Sequence, residues 1–255
     1  MNTTVHYSEY KRKIVFVTGA ASGIGLAQAR AFLAQDAFVF AFDCQERQLK
    51  ILKEQYPISF AYFTGDVCQP NDLSDAVEQC TVNFGSIDIL LNTVGILDDF
   101  LPLLETEEEL FDRLFEVNVK SFFRLTQLVL PTMLAKKQGV ILSMSSIAGF
   151  VAGGGGMAYT MSKHAIVGFI KQLALDYADQ GIQVCGMAPG AIQTPMNAAD
   201  FMGEGEMAKK VAAETPVKRW AQPEEVANVT LFLASQQASY MQGSIVTIDG
   251  GWTLK

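Results

Sequence analysis

Tyr159 and Lys163 stand four residues apart in "AYTMSKHA", inside a segment whose pattern predicts a helix over 158–180. At that spacing a phenol and an ammonium share one helical face. A plain surface pair of this kind contributes ~0.2–0.5 kcal/mol. The chemical alternative is a general acid–base. A phenol with a pKa near 10 is a poor base at neutral pH, and lowering it by ~2–3 units takes ~3–4 kcal/mol. One cation ~4 Å away supplies about that at an effective dielectric near 20, so Lys163 is expected to pull the phenol down. Ser143, Ser145 and Ser146 close a predicted strand at 139–145. They are either turn residues or hydroxyls at the edge of the same site. Four glycines, Gly153–Gly156, run into the helix. Their expected purpose is to clear side chains from beside the reacting centre.

A second motif precedes these. "VTGAASGIG" (17–25) follows a predicted strand at 13–18 and opens a predicted helix at 24–35. Gly19 allows a tight turn, and Gly23 and Gly25 let a ligand and the sheet approach the backbone. The free N–H groups of the helix start would face a pyrophosphate, which makes this a dinucleotide motif rather than a simple turn. Asp43 lies 18 residues beyond Gly25, at the end of the second predicted strand. It is placed to bind ribose hydroxyls, with an N-cap for the next helix as the competing role. Asp66 and Val67 follow the third strand, as adenine contacts or as part of a turn before Pro70. Asn92 and Gly95 end the fourth strand in "NTVG". Asn118 sits among apolar neighbours in a predicted helix over 106–134, where its low propensity demands a reason: a bend, or a polar site.

The elements that must hold these residues are seven short apolar runs, at 13–18, 37–43, 58–64, 87–92, 139–145, 182–188 and 244–249. Strands buried on both faces read this way. Helical patterns lie between them near 24–35, 45–56, 71–84, 106–134, 158–180 and 223–234. The alternation predicts an α/β, Rossmann-type, doubly wound parallel sheet of seven strands with helices on both faces, as a single domain over 1–255. The glycine loop, Asp43, Asp66, Asn92, Ser146 and Pro189-Gly190 follow successive strands and therefore gather at one edge. The irregular stretch 191–215 is expected to be a mobile flap carrying a short helix.

Bulk properties narrow the class. The chain has 255 residues and a net charge of −8, which disfavours nucleic acid and anionic membrane surfaces as partners. Four cysteines and two histidines, widely scattered, imply neither a metal site nor a disulfide framework. With no apolar run long enough to span a bilayer, a cytoplasmic protein is expected.

Together "TGAASGIG", "GDV", "NTVG", Asn118, Ser146, "YTMSK", "PGAIQTPM" and "DGG" resemble the classical short-chain dehydrogenase/reductase family over nearly the whole chain, Lys13 to Trp252. The resemblance implies a catalytic group of Asn118, Ser146, Tyr159 and Lys163, with Ser146 chosen for standing 13 residues before Tyr159. It also implies cofactor contacts from Gly19, Ser22, Gly23, Ile24, Gly25, Asp43, Asp66, Val67, Asn92, Gly95, Tyr159, Lys163, Pro189, Gly190, Ile192 and Thr194. It departs from the family at "NTVG", commonly "NNAG" there, and at the four-glycine run.

The expected activity is an NAD(H)-dependent interconversion of a secondary alcohol and a ketone, as an alcohol dehydrogenase or carbonyl reductase. A 3-oxoacyl-(acyl-carrier-protein) reductase is the enzyme alternative, and a non-catalytic dinucleotide sensor or scaffold the alternative from another class. Asp43 selects NAD over NADP in this reading. The resemblance implies a homotetramer. The expected substrate pocket is mostly apolar and includes Leu97, Phe150, Ala152, Met187, Met196, Phe201 and Met202.

Overall fold

The computed structural model describes residues 5–254; residues 1–4 and 255 of the expected domain lie outside the described residues. Seven strands form one parallel sheet in the order β3-β2-β1-β4-β5-β6-β7. They are β1 (Ile14–Thr18), β2 (Phe38–Asp43), β3 (Phe60–Thr64), β4 (Ile89–Asn92), β5 (Gly139–Met144), β6 (Ile182–Pro189) and β7 (Ile245–Ile248). Every residue of β1 and of β4 is buried, which is what their apolar runs at 14–17 and 89–91 require of strands covered on both faces. The register runs straight across the centre, with Phe16 beside Phe40 and Leu90, and Leu90 beside Ile141.

Two cores flank the sheet. One lies under α1 (Gly23–Leu33) and α8 (Pro223–Ala234) and contains Val15, Val39, Leu91, Met187 and Val226. The other lies under α3 (Pro70–Phe84), α5 (Ser121–Lys136) and α6 (Met157–Tyr177) and contains Phe16, Leu90, Phe122, Ile166 and Val184. Met187 is therefore core rather than pocket: it is 1% exposed and accepts a hydrogen bond from Thr230 Oγ1 at its sulfur. The alternation of side chains along β6 turns it toward α8 and away from the site, which corrects the expectation from sequence.

The other differences are local. The helix expected over 45–56 is α2 (Arg47–Gln55), capped at Glu46 and not at Asp43. Asp43 Oδ1 instead accepts from the Gln45 amide two residues on (2.9 Å), forming a turn that delays the helix. The helix expected over 106–134 is α4 (Glu108–Phe115), a π-helical turn at Glu116–Lys120, and then α5. The interruption is centred on Asn118 and supplies the bend its sequence context demanded. The segment after β6 forms a 3-10 turn at Pro195–Phe201 and α7 (Glu206–Glu214). No helix among the described residues is long and apolar enough to cross a membrane.

Candidate active site

The strand order reverses between β1 and β4. Crossovers there leave the sheet in opposite directions, so a crevice opens at the carboxyl ends of the two strands. The glycine loop forms one wall. A Cβ on Gly25 would overlap the Gly19 carbonyl oxygen, so glycine alone lets the loop close on itself. Asp43 Oδ2 accepts from the Ala21 amide (2.9 Å) and ties the loop to the end of β2. Ser22 is the N-cap of α1 but makes no side-chain capping bond, so it leaves the first-turn amides near Ile24 for other acceptors. A Cβ on Gly23 would lie 3.3 Å from Thr194, which places the foot of the 191–215 segment across the cleft from the loop. Thr194 starts the 3-10 turn there through Asn197, and Ile192 is buried and bridges to Ala221.

Asp66 is exposed and accepts from the Cys68 amide, the turn-forming role its sequence allowed, while Val67 beside it is 7% exposed. Asn92 is fully buried and ties the end of β4 to α5 and β5 through Thr126 Oγ1 (3.2 Å) and Ser143 Oγ (3.5 Å). Gly95 lies over the centre of the site, where an added Cβ would stand 3.4 Å from Asn118 Oδ1 and 3.5 Å from Lys163 Nζ.

Ser146, Tyr159 and Lys163 converge beside this crevice, all buried (9%, 8% and 3% exposed). Ser146 Oγ donates to the Pro189 carbonyl at the end of β6 (3.4 Å) and accepts from the Ala148 amide (3.1 Å). Gly190 follows, with its amide on Ile248 of β7. Ser145 donates to the Lys163 carbonyl on α6 (3.0 Å), and Ser143 accepts from Asn92 Nδ2 (3.5 Å). Lys163 Nζ donates to the Met144 carbonyl (3.1 Å) and lies 5.4 Å from the centre of the Tyr159 ring. Asn118 Oδ1 accepts from the Ile96 amide (2.8 Å), and its Nδ2 donates to the Ile96 carbonyl (3.0 Å) and to Ser162 Oγ (3.2 Å).

The electrostatics correct one expectation. Burial pushes the Tyr159 phenol up, to about 12; a hydrogen bond with Ser146 opposes this and the negative charge of Asp98 adds to it. Burial also brings the Lys163 ammonium down, to about 8. Desolvation penalises both charged forms and is the leading cause at each. Two of the four glycines depart from the expected role, while Gly153 has open space around it. A Cβ on Gly155 would overlap the Tyr159 ring, and one on Gly156 would stand 2.7 Å from Asp98 Oδ2. These two are glycine so that backbone can press against the phenol and its neighbouring carboxylate, and they do not widen a substrate space. Asp98 is the residue that sequence reasoning missed. Its targets lie 58 and 61 positions away, so no local pattern marks it.

The residues fit a nicotinamide dinucleotide. An ammonium carries three donors. Among the described residues Lys163 spends one on the Met144 carbonyl, at a position only 3% exposed. The open amides of α1 and the remaining lone pairs of Asp43 face the same cleft from its other end. A phosphate at the first and hydroxyls at the second and at Lys163 match the chemistry on offer.

A model of the family described as enoyl-(acyl carrier protein) reductase matches residues 19–253. The chain is 36% identical over 242 residues to 3β-hydroxysteroid dehydrogenase 2 of Eggerthella lenta, covering 93% of each chain. It is 37% identical over 243 residues to a 3-oxoacyl-(acyl-carrier-protein) reductase of Thermotoga maritima, covering 94% of this chain and 97% of that one. The solved structure of ElxO with NADP bound superposes with a TM-score of 0.89 at 25% identity, over 96% of this chain and all of that one (100%).

Proposed function

The chain belongs to the short-chain dehydrogenase/reductase family, NAD(P)-dependent oxidoreductases of CH–OH groups, and from that premise we propose that it interconverts a secondary alcohol and a ketone, with Tyr159 as general acid–base and NAD(H) as preferred cofactor. The observation that carries this reading is the buried convergence of Ser146, Tyr159 and Lys163 beside the crevice. The bound nicotinamide supplies or accepts the hydride. Ser146 donates to the substrate oxygen once it turns from the long bond to Pro189. Tyr159, protonated at neutral pH, gives its proton to that oxygen in reduction and takes it back in oxidation. Lys163 offers its free donors to ribose and its charge to the phenol. Asn118 braces the loop after β4 against α6, next to Lys163, where a water-linked proton path would end. Gly19, Ser22, Gly23, Ile24 and Gly25 take the pyrophosphate, Asp43 the adenosine ribose, and Asp66 and Val67 the adenine. Asn92 and Gly95 hold the centre of the crevice, and Pro189, Gly190, Ile192 and Thr194 line its far side.

The rim of the site is apolar. Phe150, Met196 and Met202 are exposed (42%, 50% and 75%), and methionine adapts to varied apolar shapes. The segment 191–215 covers the substrate in this reading. The similarity to the Thermotoga reductase favours 3-oxoacyl reduction as the second reading. Against it stand the net charge of −8, which repels an acidic carrier, and the engagement of Lys136 with Asp88 (3.4 Å). Leu175, 78% exposed on α6, offers a carrier no cation. The test is NADH oxidation over a panel of ketones that includes a 3-oxoacyl thioester. Turnover of simple ketones is expected. A strong preference for the thioester would transfer the protein to the second reading, and NADH binding without turnover anywhere on the panel would make it a sensor.

Exposed apolar side chains on α5 and α6, among them Phe123 (51%), Met161 (44%) and Leu175, support a homotetramer with these helices at one interface. Light scattering is expected to give four subunits, and a monomer at micromolar concentration would remove this part of the reading. The free cysteines, Cys44 exposed and Cys68 half-buried among them, fit the reducing, cytoplasmic setting of this reading.

A further inference from the structure

Asp98 lies in the loop after β4 and is only 6% exposed. A carboxylate so deeply buried needs partners. Its partners are main-chain amides of another element: Gly156 N to Oδ1 (2.7 Å) and Tyr159 N to Oδ2 (2.9 Å), with Phe100 N at 3.3 Å from its own loop. Helix α6 begins at Met157, and its N-cap, Gly156, has no side chain with which to cap it. Asp98 therefore serves as the cap from a distance, satisfying open N–H groups and meeting the positive end of the helix dipole. Gly156 is the residue that lets it approach, since a Cβ there would lie 2.7 Å from Oδ2.

The amide of Tyr159 itself is one of the two that Asp98 holds on α6. Lys163 faces the phenol from the next turn of α6, and Ser146 from the turn after β5. Helix α4 packs against this corner with Leu110, Phe111 and Leu114, all apolar. Among the described residues Asp98 is the anion that faces the phenol.

We propose that Asp98 is a positioning residue for the reaction: its carboxylate locks the first turn of α6 to the loop after β4, and so sets both where the Tyr159 hydroxyl stands and what charge it faces. This rests on the acid–base role proposed for Tyr159. The carboxylate opposes a phenolate where Lys163 favours one, and so adds to burial in keeping the phenol proton-bearing until a substrate oxygen calls for the proton. The glycine run then has open space at Gly153, where φ is +94°, and is held at Gly156.

The test compares wild type with Asp98→Asn, which keeps shape and one acceptor but removes the charge, and with Asp98→Ala. The first readout needs no substrate: NMR titration of the Tyr159 ring carbon, assigned by its loss in Tyr159→Phe. Loss of a neighbouring like charge should move ionisation to lower pH by about half a pH unit or more in Asp98→Asn. The second readout is kinetic. We expect kcat to fall on the order of 10- to 100-fold, as a small misplacement of a catalytic group does, with the Kd for NADH nearly unchanged and Asp98→Ala the more damaged. A folded Asp98→Asn with a lower Tm but an unmoved titration and an unmoved kcat overturns the proposal and leaves Asp98 a helix cap. If Asp98→Asn does not fold, Gly156→Ala displaces the carboxylate by a single methyl, and undiminished kcat there overturns it equally. Should wild type turn over no substrate, the acid–base reading of Tyr159 fails while the titration still decides what Asp98 does to the phenol.

Discussion

Tyr159→Phe should lower kcat by about 10²- to 10⁴-fold while the Kd for NADH stays near that of wild type. The substitution removes one oxygen and leaves the ring where it packs, against Gly155 and the Leu114–Ala158 cluster. Helix α6 keeps its cap, because Asp98 bonds the main chain of residue 159 and not its side chain. What disappears is the proton carrier. The wild-type pH dependence should report the same group. Burial holds the phenol at about 12, so at neutral pH it is in the acid form that reduction requires. Oxidation requires the phenolate, so kcat/KM for an alcohol should rise with pH while that for the ketone falls at the alkaline end. Both slopes should flatten in Tyr159→Phe. Stopped-flow turnover alongside fluorescence titration of NADH separates the outcomes. Near wild-type turnover in the variant would take Tyr159 out of the mechanism, and lost NADH binding would show that the ring supports the crevice instead.

The cofactor preference should be of the order of a hundredfold in kcat/KM for NAD(H) over NADP(H). A 2′-phosphate would meet the Asp43 carboxylate as a like charge, and each 1.4 kcal/mol of such a penalty is tenfold in affinity. The structure offers little compensation. Cys44, next in the chain, is exposed and carries no positive charge. Lys50 is paired with Glu46 at 2.7 Å, which leaves Arg47 at the start of α2 as the nearest cation in sequence. Asp43 also holds the Ala21 amide, so Asp43→Ala should loosen the glycine loop as well as lose the ribose contact. It should therefore erode the preference mainly by weakening NAD(H). A basic residue added at position 44 should begin to admit NADP(H). Measuring kcat/KM for both cofactors on one substrate decides it. Equal values would reduce Asp43 to a tie between β2 and the glycine loop, and a preference for NADPH would raise the 3-oxoacyl reductase reading to first place.

What the sequence determined by itself was the sheet and the edge at which the candidate site residues gather. Runs such as "IVFV" and "ILL" are apolar throughout because both faces of their strands are covered. Their alternation with helices then puts every strand end on one edge, so the glycine loop, Asp43, Asp66, Asn92, Ser146 and Pro189-Gly190 could be gathered from order along the chain, with Tyr159 and Lys163 joined to them by their helical spacing and the family resemblance. Asn118 announced its bend because an amide among apolar helix residues conflicts with propensity. Tertiary structure decided whatever depends on distance and burial between segments remote in sequence. Met187 fell into the core because the register of β6 turned it toward α8. Glycines 155 and 156 turned out to be contact surfaces for Tyr159 and Asp98, a fact invisible to the run that contains them. The phenol rose instead of falling because an ion pair read from spacing assumes partial hydration, whereas Tyr159 and Lys163 are both nearly excluded from water. Asp98 caps a helix whose N-cap residue lies 58 positions after it, and only the folded chain brings that carboxylate to those amides.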